Sequence, residues 1–355
     1  MRDPRHDAVA KILVDYSTKV QPRETVQITG QIGATPLMLE IYKLCLERGA
    51  LPVLHPSLPG AAYTFYKHAQ DFQLKHFPKV SWYEVRNTDV FFSIGAEYNT
   101  KEFTNVDPKR LAMRKRAVKR IQDWRVNNTR WCLFEFPQQA GAQDANMALP
   151  EYEEFVYNST IIDWETFAEE LRRICDVVNQ SKKVRIMGKD TDLSFSIKGM
   201  NCIAGDGRYN MPDGEVFTAP VRDSVNGHIY YDVPTVYNGV EVEGIYLEFK
   251  DGHCVKATAE KNEEFLKTML DQDPGAGFIG EFGIGCNNKI QKATKNILFD
   301  EKIGGTIHLA MGQSYKENRG RNMSALHWDM IKDLRQEGTV LFDDRIFLQN
   351  GKIVM

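Results

Sequence analysis

The 355-residue chain has neither a strong excess of one charge nor a long hydrophobic run. Its 45 basic and 48 acidic residues give a net charge of −3, so electrostatics offer no reason to expect a nucleic-acid partner. No apolar stretch approaches the ~20 residues that a membrane-spanning helix needs. The opening residues are polar and lack the apolar segment of a signal peptide. We therefore expect a cytoplasmic protein that binds neither nucleic acid nor membrane.

Several common catalytic and metal-binding motifs are also missing. The six cysteines show no CxxC or other zinc-binding spacing, and scattered cysteines in a cytoplasmic protein are normally reduced and buried. No serine lies in a G-x-S-x-G motif. Gly30-Gln-Ile-Gly33 lacks the third glycine of a dinucleotide-binding turn. These absences disfavour thiolate metal sites, serine hydrolase chemistry and dinucleotide binding.

The first half of the chain alternates strand and helix patterns. A β-branched run at 25–29 is followed by a helical pattern at 35–48, with Thr35 as the N-cap, Pro36 in the first turn and Gly49 beyond the end. A second strand pattern follows at 51–55. Strands separated by helices at this spacing predict a parallel sheet with crossover helices.

From residue 183 onward, short strands separated by turns dominate. For example, Asp251-Gly252 is a hairpin-turn signal between strand patterns at 240–249 and 255–258. The length also exceeds that of a usual single core. We therefore predict an α/β N-terminal domain, residues 1–183, with a largely parallel sheet. A strand-rich α+β C-terminal domain, residues 184–355, is predicted to carry the functional site.

Two glutamates in this second half have unusual neighbours. Glu215 and Glu281 are flanked by glycine and apolar residues rather than by other charges, and a buried carboxylate must be paired, hydrogen-bonded or bound to metal. His327 and Asp329 are two residues apart, so on a strand their side chains share one face. His308 lies in a short apolar run bounded by glycines, where a lone histidine is more often a hydrogen-bonded core residue than a ligand.

Further polar residues extend this donor set. Glu301 adds a carboxylate, and Tyr315 follows His308 closely enough to reach the same pocket. Carboxylates and imidazoles without a thiolate suit hard or borderline divalent ions such as zinc, cobalt, manganese and magnesium. The set holds more carboxylates than one ion requires, which suggests two ions ~3.5–4 Å apart.

Five motifs, in this order, resemble those of the M29 family of metal-dependent aminopeptidases, typified by aminopeptidase T. They are Glu-Val-Phe-Thr-Ala-Pro at 215–220, Gly-Glu at 280–281, Leu-Phe-Asp-Glu at 298–301, His-Leu-Ala-Met-Gly-x-x-Tyr at 308–315 and His-x-Asp at 327–329. Segments 14–20 and 46–52 also resemble the opening of that family. The interval from Glu301 to His308 is longer than in the best-known members, and segment 316–326 is shorter.

The resemblance implies removal of the N-terminal residue from short peptides by a centre of two divalent ions, in a homodimer. Glu281 would shuttle a proton as well as bind metal, and Tyr315 would hydrogen-bond the oxyanion. The native ion, the bridging carboxylate and the preferred N-terminal residue stay open. The implied metal ligands are Glu215, Glu281, His308, His327 and Asp329, with Glu301 as a further candidate.

Two other functions are compatible with the same donors. One is a mononuclear iron dioxygenase acting on a ring substrate with the same scaffold; such a site needs fewer carboxylates, so the presence of both Glu215 and Glu281 favours the peptidase. The other is a metal-dependent binding or assembly protein without catalytic activity. It predicts bound metal without turnover.

Overall fold

The computed structural model describes residues 3–354, which form two compact units. The first runs to Ile162 and also includes Gly207–Pro212, and the second comprises Asp163–Asp206 and the chain from Asp213 onward. The sequence placed a boundary at 183–184, whereas the contacts assign the helix Trp164–Gln180 to the second unit. The reason is its apolar face, which packs into that unit's hydrophobic core through Leu171 and Val178.

The secondary-structure elements of the described residues are as follows. The strands are β1 Thr25–Gln31, β2 Leu51–Ser57, β3 Val90–Gly95, β4 Arg130–Glu135, β5 Lys183–Gly188, β6 Thr191–Ser196, β7 Ile203–Gly205, β8 Asn210–Met211, β9 Glu215–Thr218, β10 Asn226–Tyr231, β11 Thr235–Tyr237, β12 Val240–Val242, β13 Ile245–Lys250, β14 His253–Thr258, β15 Ile279–Gly285, β16 Thr306–Gly312, β17 His327–Asp333, β18 Gly338–Phe342, β19 Arg345–Gln349 and β20 Lys352–Ile353. The α-helices are α1 Pro4–Lys11, α2 Thr35–Glu47, α3 Ala61–His68, α4 Asp71–Lys75, α5 Lys79–Arg86, α6 Pro108–Asn128, α7 Gln139–Asp144, α8 Leu149–Thr160, α9 Trp164–Gln180, α10 Glu263–Leu270 and α11 Ile297–Asp300. A π-helical segment, Ile12–Ser17, and two 3-10 turns, Ile32–Ala34 and Arg222–Ser224, complete the helical elements. Within residues 3–354, no helix is long and apolar enough to cross a membrane.

The first unit contains a five-stranded sheet in the order β2-β1-β3-β4-β8, and its neighbouring strands are parallel. The predicted parallel sheet with crossover helices is therefore confirmed.

The predicted N-cap of α2 is wrong by one position, because the 3-10 turn Ile32–Ala34 leads directly into the helix. Thr35 is consequently the first helical residue, and its hydroxyl donates a hydrogen bond to the carbonyl of Ile32.

The second unit contains two large antiparallel sheets and the two-stranded antiparallel sheet β11-β12, so the predicted strand-rich fold class is also confirmed. Eight strands run in the order β14-β13-β10-β6-β5-β18-β19-β20, and five run in the order β17-β16-β15-β9-β7. The predicted turn at Asp251-Gly252 joins β13 to β14, with both residues at positive φ as a two-residue hairpin requires. The strand expected at 240–249 is interrupted at Gly244, which also has positive φ.

One hydrophobic core links the two sheets of the second unit. Phe282 on β15 packs edge-to-face against Phe195 on β6, with ring centroids 5.2 Å apart. On β16, Ile307, Leu309 and Met311 are fully buried in the same core. Because alternate residues of a strand point to opposite faces, the intervening residues of β16 lie on the other face of the five-stranded sheet. That second face carries the polar residues singled out in the sequence.

Candidate metal centre

Strand register brings the polar residues of three strands together on this face. Glu281 on β15 is opposite Ala310 on β16, and Ala310 is opposite Asp329 on β17. His308 on β16 is opposite Gly283 on β15. Cross-strand neighbours in a sheet have Cβ atoms only ~4.5–5.5 Å apart. The two carboxylates and the imidazole are therefore close neighbours on one surface.

The remaining predicted residues are added at the edges of this group. Glu215 on β9 is opposite Gly285, and His327, two residues before Asp329, is opposite Gly312. The short helix α11 is followed directly by Glu301, which reaches the same site. The structure thus brings together every predicted ligand. Their assignment as ligands stays a prediction.

Small residues make room for the large polar side chains on this face. Gly283 is the clearest case, because a Cβ there would lie 2.0 Å from Nε2 of His308. Ala310 and the glycines opposite Glu215 and His327 also fill little space. The glycines beside Glu281 are therefore part of a buried strand, where Gly283 leaves room for the imidazole of His308.

The donor atoms form two overlapping groups. The first contains Glu215, Glu301 and His308, the second contains Glu281, His308 and Asp329, and within each group the ligand atoms lie within 4.8 Å of one another. His308 belongs to both. Its Nε2 is 3.1 Å from Oε2 of Glu215 and 3.4 Å from Oε1 of Glu281. This shared imidazole is the centre of the arrangement.

Two oxygens of the site are buried without a hydrogen bond among the described residues. They are Oε2 of Glu281 and Oδ1 of Asp329, whereas Oε2 of Glu215 faces Nε2 of His308 at 3.1 Å. Burying a carboxylate oxygen without a partner is strongly unfavourable, whereas a coordinated cation would satisfy it. The unpartnered oxygens of Glu281 and Asp329, with their shared imidazole, fit a hard or borderline divalent ion.

A backbone hydrogen bond orients the imidazole of His327 so that its Nε2 faces the site. Its Nδ1 lies 2.9 Å from the carbonyl oxygen of Gln313, which can only accept a hydrogen bond. Neutral His327 therefore carries its proton on Nδ1 and presents the lone pair of Nε2, as metal-binding histidines do. That Nε2 is 3.5 Å from Oδ2 of Asp329 and 4.0 Å from Oε2 of Glu281.

Tyr315 lies at the open side of the site. The residue is 43% exposed, but its hydroxyl is 3.4 Å from Nε2 of His327. Partial burial and the nearby carboxylates of Glu281 and Asp329 raise the pKa of Tyr315 above its ordinary value. The phenol therefore stays protonated at neutral pH and can donate a hydrogen bond to a group in the site.

Lys302 is a residue of the site that the sequence analysis missed. Its side chain is fully buried, with Nζ 3.5 Å from Oε1 of Glu215 and in direct contact with Oε1 of Glu301. In the sequence, Asp300-Glu-Lys302 resembles an ordinary exposed charged turn. The only available signal was the apolar and glycine-rich segment that follows it.

Asp300 in the same turn has a structural role. Its carboxylate accepts hydrogen bonds from the backbone N–H of Thr294, the hydroxyl of Thr294 and the backbone N–H of Lys295. These bonds fix the start of the turn that delivers Glu301 and Lys302 to the site. Asp300 is therefore a support for the site and not one of its donors.

The charges of the site shift the pKa values of its members strongly. Although burial acts in the opposite direction, Lys302 and His308 lower the pKa of Glu215 to about 2. Burial raises the pKa of Glu281 and, against the attraction of Lys302, raises that of Glu301 to about 8. Burial disfavours protonated His308, but Glu215 and Glu281 raise its pKa well above the ordinary value. Without a metal ion, the site therefore retains protons near neutral pH.

Comparison with known proteins gives consistent matches. The sequence model of the family described as thermophilic metalloprotease (M29) matches residues 2–346. Aminopeptidase 2 from Geobacillus stearothermophilus is 28% identical, over 92% of this chain and 91% of the relative. Aminopeptidase T from Thermus thermophilus is 31% identical, over 61% of this chain and 62% of the relative.

Two solved structures share the fold. AmpT from Thermus thermophilus superposes with a TM-score of 0.89 at 23% identity, covering 99% of both chains. A 2,5-dihydroxypyridine dioxygenase from Pseudomonas putida superposes with a TM-score of 0.66 at 14% identity, covering 98% of this chain and 96% of the other. Because both identities are low, these similarities concern the fold alone.

The close approach of β15 to His308 can be tested with Gly283→Ala. The added methyl group would occupy the position of the imidazole, so the ring must move and Mn²⁺ affinity is expected to fall ~10–100-fold, as when a metal-binding histidine loses its support. Titration calorimetry measures the change. Gly188→Ala is the control, because Gly188 lies on β5 of the eight-stranded sheet and its Cβ would meet the backbone oxygen of Glu337, so the affinity should be unchanged. Equal affinities in both variants would contradict this placement of His308.

The pKa shifts predict that metal binding releases protons. Glu281 and His308, two members of the second donor group, have raised pKa values and hold protons that an ion must displace. Because protons leave on binding, Mn²⁺ affinity should strengthen as the pH rises from 6 to about 8. Calorimetry in buffers of different ionisation enthalpy counts the released protons. Affinity that is independent of pH over this range would show that the donors are already deprotonated.

Proposed function

Because this chain belongs to the M29 family of metallopeptidases and is a metal-dependent aminopeptidase, we propose that it removes the N-terminal residue from short peptides. The proposed site is the donor face, the polar face of the sheet β17-β16-β15-β9-β7 that carries Glu281, His308 and Asp329. The observation that carries this proposal is the convergence of five donor residues around His308, with a buried carboxylate oxygen of Glu281 and one of Asp329 that lack a hydrogen bond. Short-peptide specificity and a homodimer are implied by the resemblance and stay predictions.

We assign the essential ion to the second donor group, Glu281, His308 and Asp329, together with His327. A neighbouring backbone carbonyl orients His327 toward this group. Glu215 and Glu301 are proposed to border the same site. The expected second ion stays a prediction. The shared His308 supports it, but the first donor group already contains the ammonium of Lys302.

The residues of the chain supply the proton transfers and the hydrogen bonds of the reaction. A bound divalent ion supplies Lewis-acid polarisation of the scissile carbonyl and acidifies water near neutral pH. Glu281, whose pKa is raised by burial, takes the proton of the attacking water and delivers it to the leaving amine. The protonated phenol of Tyr315 donates a hydrogen bond to the oxyanion as the carbonyl carbon becomes tetrahedral.

One observation favours a second candidate function. His308, His327 and Asp329 form a set of two imidazoles and one carboxylate, the donor type that non-haem iron uses for oxygen chemistry. Glu281 lies among them as an additional carboxylate, which an iron site of this type does not need. Oxygen uptake by the iron-loaded protein with dihydroxylated ring substrates, but without peptide hydrolysis, would favour this dioxygenase function over the peptidase.

The peptidase proposal predicts metal-dependent hydrolysis. Chelation should abolish the release of leucine, methionine, arginine or phenylalanine from their anilides, because the carboxylates alone cannot polarise a carbonyl. Zn²⁺, Co²⁺ or Mn²⁺ should restore it, as measured by release of the chromogenic amine. Short peptides should be cleaved from the N-terminus while a folded protein is not. Full activity in excess chelator, with metal shown to be removed, would exclude this chemistry.

Tyr315→Phe separates catalysis from metal binding. Loss of the hydroxyl should lower kcat ~10²–10³-fold, because its hydrogen bond to the oxyanion exists mainly in the transition state, whereas metal content should not change. Tyr230→Phe is a matched control. Its hydroxyl donates to the exposed Glu260, 3.2 Å away, and its loss should leave kcat unchanged. A near-normal kcat for Tyr315→Phe would show that Tyr315 only packs beside the site.

A further inference from the structure

The feature that distinguishes the two donor groups is a buried cation in the first of them. Lys302 has no solvent exposure, and its Nζ lies between Glu215, 3.5 Å away, and Glu301, which it contacts. A buried ammonium must be paired with anions to be tolerated. The two carboxyl groups that form these contacts with its Nζ are both members of the first donor group.

The backbone fixes Lys302 in this place. Its N–H donates to the carbonyl of Phe299 and its carbonyl accepts from the N–H of Asn287, each at 3.0 Å. Lys302 also directly follows Glu301, so the residue that supplies the anion and the residue that supplies the cation move together. The ammonium is therefore a permanent part of the donor group, unlike a surface lysine that could swing into solvent.

The second donor group differs in this respect. Among residues 3–354, the ion-pair partners found for Glu281 and Asp329 are His308 and His327, both candidate ligands themselves. A carboxylate oxygen of each residue is buried without a hydrogen bond. One group thus carries its own cation, and the other still requires one.

We propose that the Lys302 ammonium takes the place of one of two metal ions, so that each chain binds a single divalent ion, in the group of Glu281, His308 and Asp329. An ion in the first group would have to share Glu215 and Glu301 with a fixed positive charge a few ångströms away, and the two cations repel each other. This inference rests on the proposed function only in that it takes the donor face to be the metal site.

The test is the number of ions bound by the intact protein. Metal-free protein is saturated with Mn²⁺, freed of unbound ion by equilibrium dialysis, and analysed for manganese per chain. We expect one ion per chain, with the paramagnetic resonance spectrum of an isolated Mn²⁺. Two ions ~3.5–4 Å apart would be spin-coupled. Two coupled ions in the wild-type protein would overturn the proposal, whatever the behaviour of any variant.

Lys302→Met removes the charge but keeps much of the side-chain length. It should bind two ions with a coupled spectrum, because Glu215 and Glu301 are then free to take a second ion. Lys332→Met is the matched control, since Lys332 is also buried and forms an ion pair with Asp232 at 2.8 Å. It should bind one ion. A folded Lys302→Met that also binds one ion would show that Lys302 does not replace an ion.

Peptide hydrolysis is measured separately on the same samples. One bound ion without aminopeptidase activity would refute the proposed function and leave this inference standing. Aminopeptidase activity with two coupled ions would refute the inference and leave the function standing.

Discussion

The donor face depends on the neutralisation of four neighbouring carboxylates, of which Glu215, Glu281 and Asp329 are buried and Glu301 is partly buried. Glu215, Glu281, Glu301 and Asp329 surround one imidazole on a sheet whose opposite face is hydrophobic core. Carboxylates so placed repel one another and lose their hydration, so they require positive charge within the protein or from an ion. In the absence of metal, the pKa values of Glu281 and Glu301 are raised for the same reason, because burial disfavours the charged carboxylate.

The sheet provides both the rigidity and the space that this arrangement needs. Each donor strand alternates between core residues and site residues, so packing of Phe282 or Leu309 also fixes the direction of Glu281 or His308. Space comes from residues without large side chains, above all Gly283 beneath the imidazole. A site built in this way is held by adjacent strands of one sheet, and its ligands cannot adjust independently of the core.

Much of this could be predicted from the sequence, because strand alternation is a local property. The i, i+2 spacing of His327 and Asp329 and the glycine-flanked setting of Glu281 were sufficient to predict that these side chains share one face of a sheet, and their role as metal donors stays a prediction. The contact of Gly283 with His308 was not predictable, since it depends on the register between two strands. Lys302 was missed because local sequence showed charged neighbours, whereas its burial results from tertiary packing around Glu215. The start of α2 moved by one residue because a 3-10 turn precedes Thr35.

The identity of the cations, more than the fold, decides what such a site can do. AmpT and a 2,5-dihydroxypyridine dioxygenase both superpose on this chain over nearly their full length, so the scaffold by itself does not select the reaction. The possible chemistries differ in how many positive charges the donors hold. They also differ in whether each of these charges is a metal ion with open coordination positions or an ammonium group. An ammonium balances charge and donates hydrogen bonds, but it accepts no ligand. A lysine at position 302 therefore alters the electrostatics of the whole donor face, and it confines Lewis-acid chemistry to the side of the site formed by Glu281, His327 and Asp329.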